Sequence, residues 1–479
     1  MAASFDARSV AGDRPLAKDY TRISKHLLRK LGSWLVSIVF LCIPAMWNGF
    51  PILFEDVGGY LLTWPNAALA NGRSTVFGIY LWAGMPLAWI PTLVLQATVT
   101  VWLIDRTLAL FGFDKAWHVV LAVGGLTATT GIAVFVSQTM PDAWAAPAIL
   151  AVLLLTWHGD RFGLPERIGF AAVIAFAGAS HMATLAVLAG LATVQSAAAL
   201  LRGRLRVAAQ RLLFANAAVA SGLALLLLVN AAVAGRMALT PGGDIFFLGR
   251  MAETGLLGKV LDRDCQRADW RLCAHRAELP QNADVFLWFG GSPLHAIGGW
   301  DHPDVKRETS AIIRRSLELF PLQHLAGALT ATAVQLVTAG VGDSTGALSM
   351  WAWDLRPLLK RSAPSLVPLH EQSLQAKGEL TFEMWSAAVV TPVAITGFAA
   401  LLLMCAALWR NGQREHAMFC AMLVTALVGN AFVCGTFSGP HGRYQARIAW
   451  LAPLVSVLAL RAYPRVRKDA QFEMASTEA

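Results

Sequence analysis

Charge is what this chain has least of. Only 14% of its 479 residues are Asp, Glu, Lys or Arg, against roughly 25% in a soluble domain, which excludes a solvated globular protein. Cysteine is nearly as sparse, six in all, and none shows metal or redox spacing. Cys42, Cys405, Cys420 and Cys434 fall in or at the end of apolar runs, where cysteine behaves as a small hydrophobe. Internal repeats, low-complexity tracts and a nucleotide-cradling glycine loop are all missing, since GGSPLHAIGG is merely glycine-rich. No A-x-A site separates the first apolar run from EDVGGY, so that run reads as a retained signal-anchor helix rather than a cleaved leader.

What is present is apolar: 56% of the residues are hydrophobic. A span needs about 20 apolar residues to cross roughly 30 Å of hydrocarbon, and Ser386 to Trp409 is one such stretch with no charge. The fold class expected is an all-α polytopic membrane protein of ten spans, at 33–52, 87–104, 118–137, 141–157, 167–179, 182–200, 212–234, 385–408, 416–436 and 447–461. This divides the chain into a basic N-terminus (1–32), helices 1 to 7 (33–235), a large insertion (236–384), helices 8 to 10 (385–461) and a tail (462–479). Both termini are expected on the cytoplasmic side of a bacterial inner membrane.

The net charge of +9 could point to nucleic acid, but the basic residues sit beside apolar segments, which reads as topology. Of 39 Lys and Arg, 21 fall in the segments expected inside and only Arg73, Arg443 and Arg447 in short outer loops. The other 15 lie in 236–384 with 16 acids, and long domains translocate largely regardless of charge, so the insertion is expected to be periplasmic. Within it, Ser316 to Gly340 has the periodicity of an interfacial helix. Cys265 and Cys273, eight apart in DCQRADWRLC, are disulfide candidates, which requires an oxidising compartment.

Three acids remain in the short outer loops: Glu55, Asp56 and Asp142. Carboxylates this close to hydrocarbon are costly unless solvated or paired, which makes them site candidates. Asp142, after a proline, also reads as the start of a helix whose dipole it complements. The glycines of EDVGGY allow tight turns behind Glu55 and Asp56. Tyr60, Trp64, Tyr80 and Trp82 nearby offer rings for sugar stacking or for an interfacial belt. In SGPHGRYQARIAW, Arg443 and Arg447 are four apart and share a helical face with Tyr444 beside them. An arginine fork matches a phosphate. His181 and His441 could move protons, bind phosphate, or serve as structural histidines at helix junctions.

The arrangement resembles the GT-C superfamily of integral-membrane glycosyltransferases, which includes the protein O-mannosyltransferases and the lipid A aminoarabinose transferases. The likeness lies in a first span followed by an acidic outer loop, here Glu55 and Asp56, and a second acid in the next, here Asp142. The multi-span body and large late outer domain also fit. The resemblance implies sugar transfer from a polyprenyl-phosphate donor to a periplasmic glycan, lipid or protein acceptor. Asp56 would be base or metal ligand, Asp142 would assist, and Arg443 with Arg447 would hold the leaving phosphate. A divalent cation is then a candidate cofactor, although EDVGGY is no D-x-D. The alternative is a transporter or flippase of an anionic lipid, which would more naturally place charges near the bilayer midplane. An acyltransferase, or an accessory subunit without chemistry of its own, is a third reading.

Overall fold

The structure is a computed structural model that describes residues 14–201, 205–348 and 355–463. Residues 1–13 of the basic N-terminus and 464–479 of the tail lie outside the described residues. In hydrocarbon each backbone N–H and C=O has to be bonded within its own segment, and the apolar runs accordingly become helices. The first half comprises α1 (Arg14–Asn48), α2 (Asp56–Thr63), α3 (Thr75–Gly84), α4 (Ile90–Leu110), α5 (Ala116–Thr129), α6 (Ile132–Val136), α7 (Asp142–His158), α8 (Leu164–Ser180), α9 (Met182–Leu201) and α10 (Leu205–Ala234). Among the described residues there is no strand, only an isolated parallel bridge between Ile52 and Gln138. The chain is an all-α, multi-pass membrane protein.

Among the described residues, seven helical stretches are long and apolar enough to span: 27–48, 90–110, 142–161, 182–201, 209–234, 383–410 and 414–437. Three of the ten expected spans fall short. The third is cut at Thr130, where the backbone turns extended and leaves α5 with 14 residues. The fifth, α8, has 17 residues and ends at the His181 junction. The last is divided at Trp450 into two short helices. Hydropathy averages over such breaks, which is why the sequence reads them as continuous.

At the centre stands α7, apolar on every side, with each residue from Asp142 to Leu155 buried. A helix without a polar face belongs inside a bundle. Its central position carries Asp142 inward. The charged groups separate to the two ends of the bundle. Lys30 with Asp105, Arg106 with Glu166, and Arg211 with Asp160 hold the loops expected inside; Asp56, Asp142, Arg443 and Arg447 gather at the opposite end.

The insertion is helical and has two parts. Helices α11 (Gly243–Glu253), α12 (Leu256–Asp264), α13 (Ala283–Trp288), α14 (Pro293–Ala296) and α15 (Pro303–Leu319) surround a core of their own that includes Leu248, Leu257, Phe286 and Ile312. Cys265 and Cys273 form a disulfide at its edge. The expected interfacial stretch breaks at Phe320 into the end of α15 and α16 (Pro321–Val337), which packs on the bundle while exposing Leu322, Leu325 and Leu329. The remainder, with α17 (Arg356–Ser362), α18 (Leu366–Glu371) and α19 (Glu383–Trp385), returns to the bundle: Leu359 joins the main core. The chain ends in α20 (Thr391–Arg410), α21 (Arg414–Phe437), α22 (Gly442–Ala449) and α23 (Leu451–Ala462).

Candidate functional site

Two loops and one short helix build the site. The loop after α1 is held from both sides. Ile52 donates to the Ser137 carbonyl at 2.9 Å and accepts from Thr139 at 3.1 Å, which ties it to the segment before Asp142. On the other side Gln375 of the insertion accepts from the Leu53 amide at 3.0 Å and donates to the Leu53 carbonyl at 2.8 Å. Glu55 and Asp56 follow immediately, Asp56 opening α2. The third piece, α22, is seated by backbone contact: the Gly340 amide donates to the Gly442 carbonyl at 3.1 Å. A Cβ on Gly442 would stand 3.0 Å from the Gly340 backbone, so the close approach requires glycine.

The arginines one turn apart on α22 have different surroundings. Arg447 is 1% exposed, and both of its terminal nitrogens are bonded. It donates to Asp142 at 3.0 Å, to Asn430 at 2.8 Å and to Cys434 at 3.3 Å, and to His181 Nδ1 at 3.2 Å. Because guanidinium only donates, His181 Nδ1 accepts and the ring carries its proton on Nε2. Burial first, then the neighbouring Arg447, pushes the His181 pKa down to about 3.

Arg443 lies nearer the surface and is loosely paired. Its guanidinium stacks over Phe54 at 3.9 Å and faces Asp56 at 3.8 Å, with the Tyr444 hydroxyl at 3.5 Å. Burial opposes its charge, but Tyr444, Asp56 and Asp142 raise its pKa above the ordinary arginine value. The other side of Asp56 is paired with Arg73. The side chains of Asp56 and Arg443 remain 21% and 14% exposed, so this outer tier stays accessible above the sealed Arg447 tier.

The remaining expected residues divide. Tyr444 lies between the tiers, its ring 4.9 Å from Arg443 and 6.0 Å from Arg447. Tyr60 is buried edge-on against Phe77. Its hydroxyl senses Arg73, Asp56, Asp142 and Arg443, and burial raises its pKa. Tyr80 and Trp82 are half-buried against the main core, bonded to the Thr92 and Leu61 carbonyls. Trp64 alone of the four is exposed. Glu55 is exposed on the loop. His441 stacks on Tyr444 at 5.2 Å and meets Asp284 at 3.3 Å; burial lowers its pKa against the pull of Asp284. The glycines of EDVGGY make no turn, because they lie within α2; Gly59 instead leaves room for the Arg73 side chain, 3.3 Å from where a Cβ would stand.

Arg73 was already singled out by the charge count as one of three short-loop outer cations, and its pairing with Asp56 is the contact that count could not supply. Asn430 and Gln375 carried no signal, being neutral amides among many uncharged residues. Asp284 and Asp343, whose carboxylate accepts from the Arg443 amide at 3.2 Å, were hidden among the insertion's acids.

A divalent cation fits this donor set poorly. Asp56 faces two guanidiniums and Asp142 a third, and among the described residues no three His, Cys, Asp or Glu gather as ligands. The site and fold together define a polytopic membrane protein with an ion-paired carboxylate and arginine cluster at one end of its bundle. Comparison with known families, with curated proteins and with solved structures finds no match to this chain.

Proposed function

We propose that this chain is an integral-membrane glycosyltransferase of the GT-C type, moving a sugar from a polyprenyl-phosphate donor to an acceptor on the periplasmic face of the inner membrane. The observation that carries the reading is the meeting of Asp56, Arg73 and Arg443 in one partly exposed cluster, from opposite ends of the chain.

In this reading Arg443 is the phosphate-binding residue. Its 3.8 Å contact with Asp56 is long for an ion pair, so a phosphate can recruit its donors while Arg73 keeps Asp56 in place. The acceptor hydroxyl attacks the anomeric carbon, the bond to phosphate oxygen breaks, and the leaving phosphate carries away the electron pair. Asp56 receives the hydroxyl proton, and Arg443 meets the charge developing on the phosphate. Asp142 and Arg447 act as positioning residues, since both are buried and mutually bonded. No metal is needed, because two arginines supply the positive charge. The gathering of charge at the two ends of the bundle favours surface chemistry over carriage across the midplane.

Replacing Asp56 with Asn tests the assignment. The variant should insert normally and lose sugar transfer from labelled polyprenyl phosphate by roughly 10²-fold or more. Retained transfer would remove Asp56 as base.

A further inference from the structure

A second polar concavity lies away from Asp56, where α11 and α12 of the insertion meet α16 and the end of α21. It has a volume of about 190 Å³ and is lined by Phe247, Arg250, Met251, Lys259, Gln323 and His324, among others. Thr436, at the end of the 414–437 span, also lines it, so it opens at the membrane boundary on the Asp142 end of the bundle.

Its chemistry is one-sided. Arg250, Lys259 and His324 bring donors, and no carboxylate is among the described lining residues. Arg250 is the residue that points to a ligand. It is 8% exposed; Nη1 faces Glu253, and Nε has no hydrogen-bond partner among the described residues. A buried guanidinium donor left unbonded is expensive, and a small rotation of the Arg250 side chain, which lines the cavity, would turn it toward an anion there. Gly439, at φ +96°, leaves room there, since a Cβ would stand 3.2 Å from Arg250 Nη1. His324 is fixed beside it by Ser316 at 2.8 Å and by stacking on Phe247 at 5.6 Å.

Apolar walls complete the description. Phe247, Met251, Leu256 and Ala328 line the same cavity, and Leu322 and Leu325 on α16 are exposed nearby. Cationic donors beside apolar walls at a membrane boundary suit an amphiphile with a phosphate head. We propose that this cavity is an anion site for a phosphate monoester, with Arg250 and Lys259 as its ligands and the apolar wall receiving an acyl chain. It stands apart from the transfer reading and does not depend on it.

The test uses the full chain in nanodiscs of zwitterionic lipid, titrated separately with dioctanoyl phosphatidate and with inorganic phosphate. Saturable phosphatidate binding is expected, weakened about tenfold or more by Lys259→Gln and by Arg250→Gln. Lys259 is exposed, so its variant keeps the fold if that of Arg250 does not. Competition by inorganic phosphate would support a site for the free anion; phosphatidate binding without such competition would support the lipid. Failure of both probes to saturate, or affinity unchanged in Lys259→Gln, would overturn the proposal.

Discussion

Arg443 and Arg447 show how far two identical side chains on one helical face can diverge. Arg447 is sealed against Asp142, so removing either partner strands a buried charge, at a cost of roughly 3–5 kcal/mol. Asp142→Ala should therefore lower the unfolding midpoint in detergent sharply. Arg443→Gln should change stability by about 1 kcal/mol or less, because its pairing is long and partly solvated, while abolishing the proposed sugar transfer. Equal stability losses in the two variants would contradict the two-tier reading. His181 supplies a pH signature. Its folded pKa of about 3 lies below the unfolded value of about 6.5, so the unfolded chain binds the extra proton between them. Stability is then greatest above pH 6.5 and declines as pH falls, by at most about 1.4 kcal/mol per unit from this group. Thermal melts of wild type and His181→Gln between pH 7.5 and 5 should converge toward the acid end. The acids and arginines of this site were legible as residues left over when topology had accounted for the other charges. Their roles were not, because burial separates Arg443 from Arg447 and spacing cannot express burial.

At the scale of elements, α22 depends on the space beneath it. It meets the 340 backbone so closely that a methyl at Gly442 would press on main-chain atoms, which cannot swing aside as a side chain can. Gly442→Ala should cost roughly 1–3 kcal/mol and reduce the proposed transfer by shifting Arg443, measurable as lost activity in protein that still inserts. The helical character of most segments was legible from apolar length. The breaks at Thr130, Phe320 and Trp450 were not, since each falls within a stretch that remains apolar on average. The EDVGGY glycines mislead for a related reason: glycine permits a turn, but here it permits a neighbour's side chain to cross a helix.

For the whole molecule, the insertion joins two kinds of structure. Its first part has a separate core and the Cys265–Cys273 bond, eight residues apart. Closing so short a loop is worth about 2–3 kcal/mol on the chain-entropy model. The Cys265→Ser, Cys273→Ser double variant should loosen this unit to protease while the spanning helices keep their melting behaviour, because their cores are distinct. Its second part, through Gln375 and Gly340, holds the loop and the helix that carry the site. Composition and periodicity by themselves determined that this is a helical membrane protein with its acids and arginines at the ends of spans, because hydrocarbon penalises every other arrangement. Which acid meets which arginine was decided only by the tertiary structure. Asp56 and Arg443 are separated by nearly the whole chain, and their meeting depends on a central α7, on a clamp from the insertion and on a glycine contact, none of which leaves a local mark in the sequence.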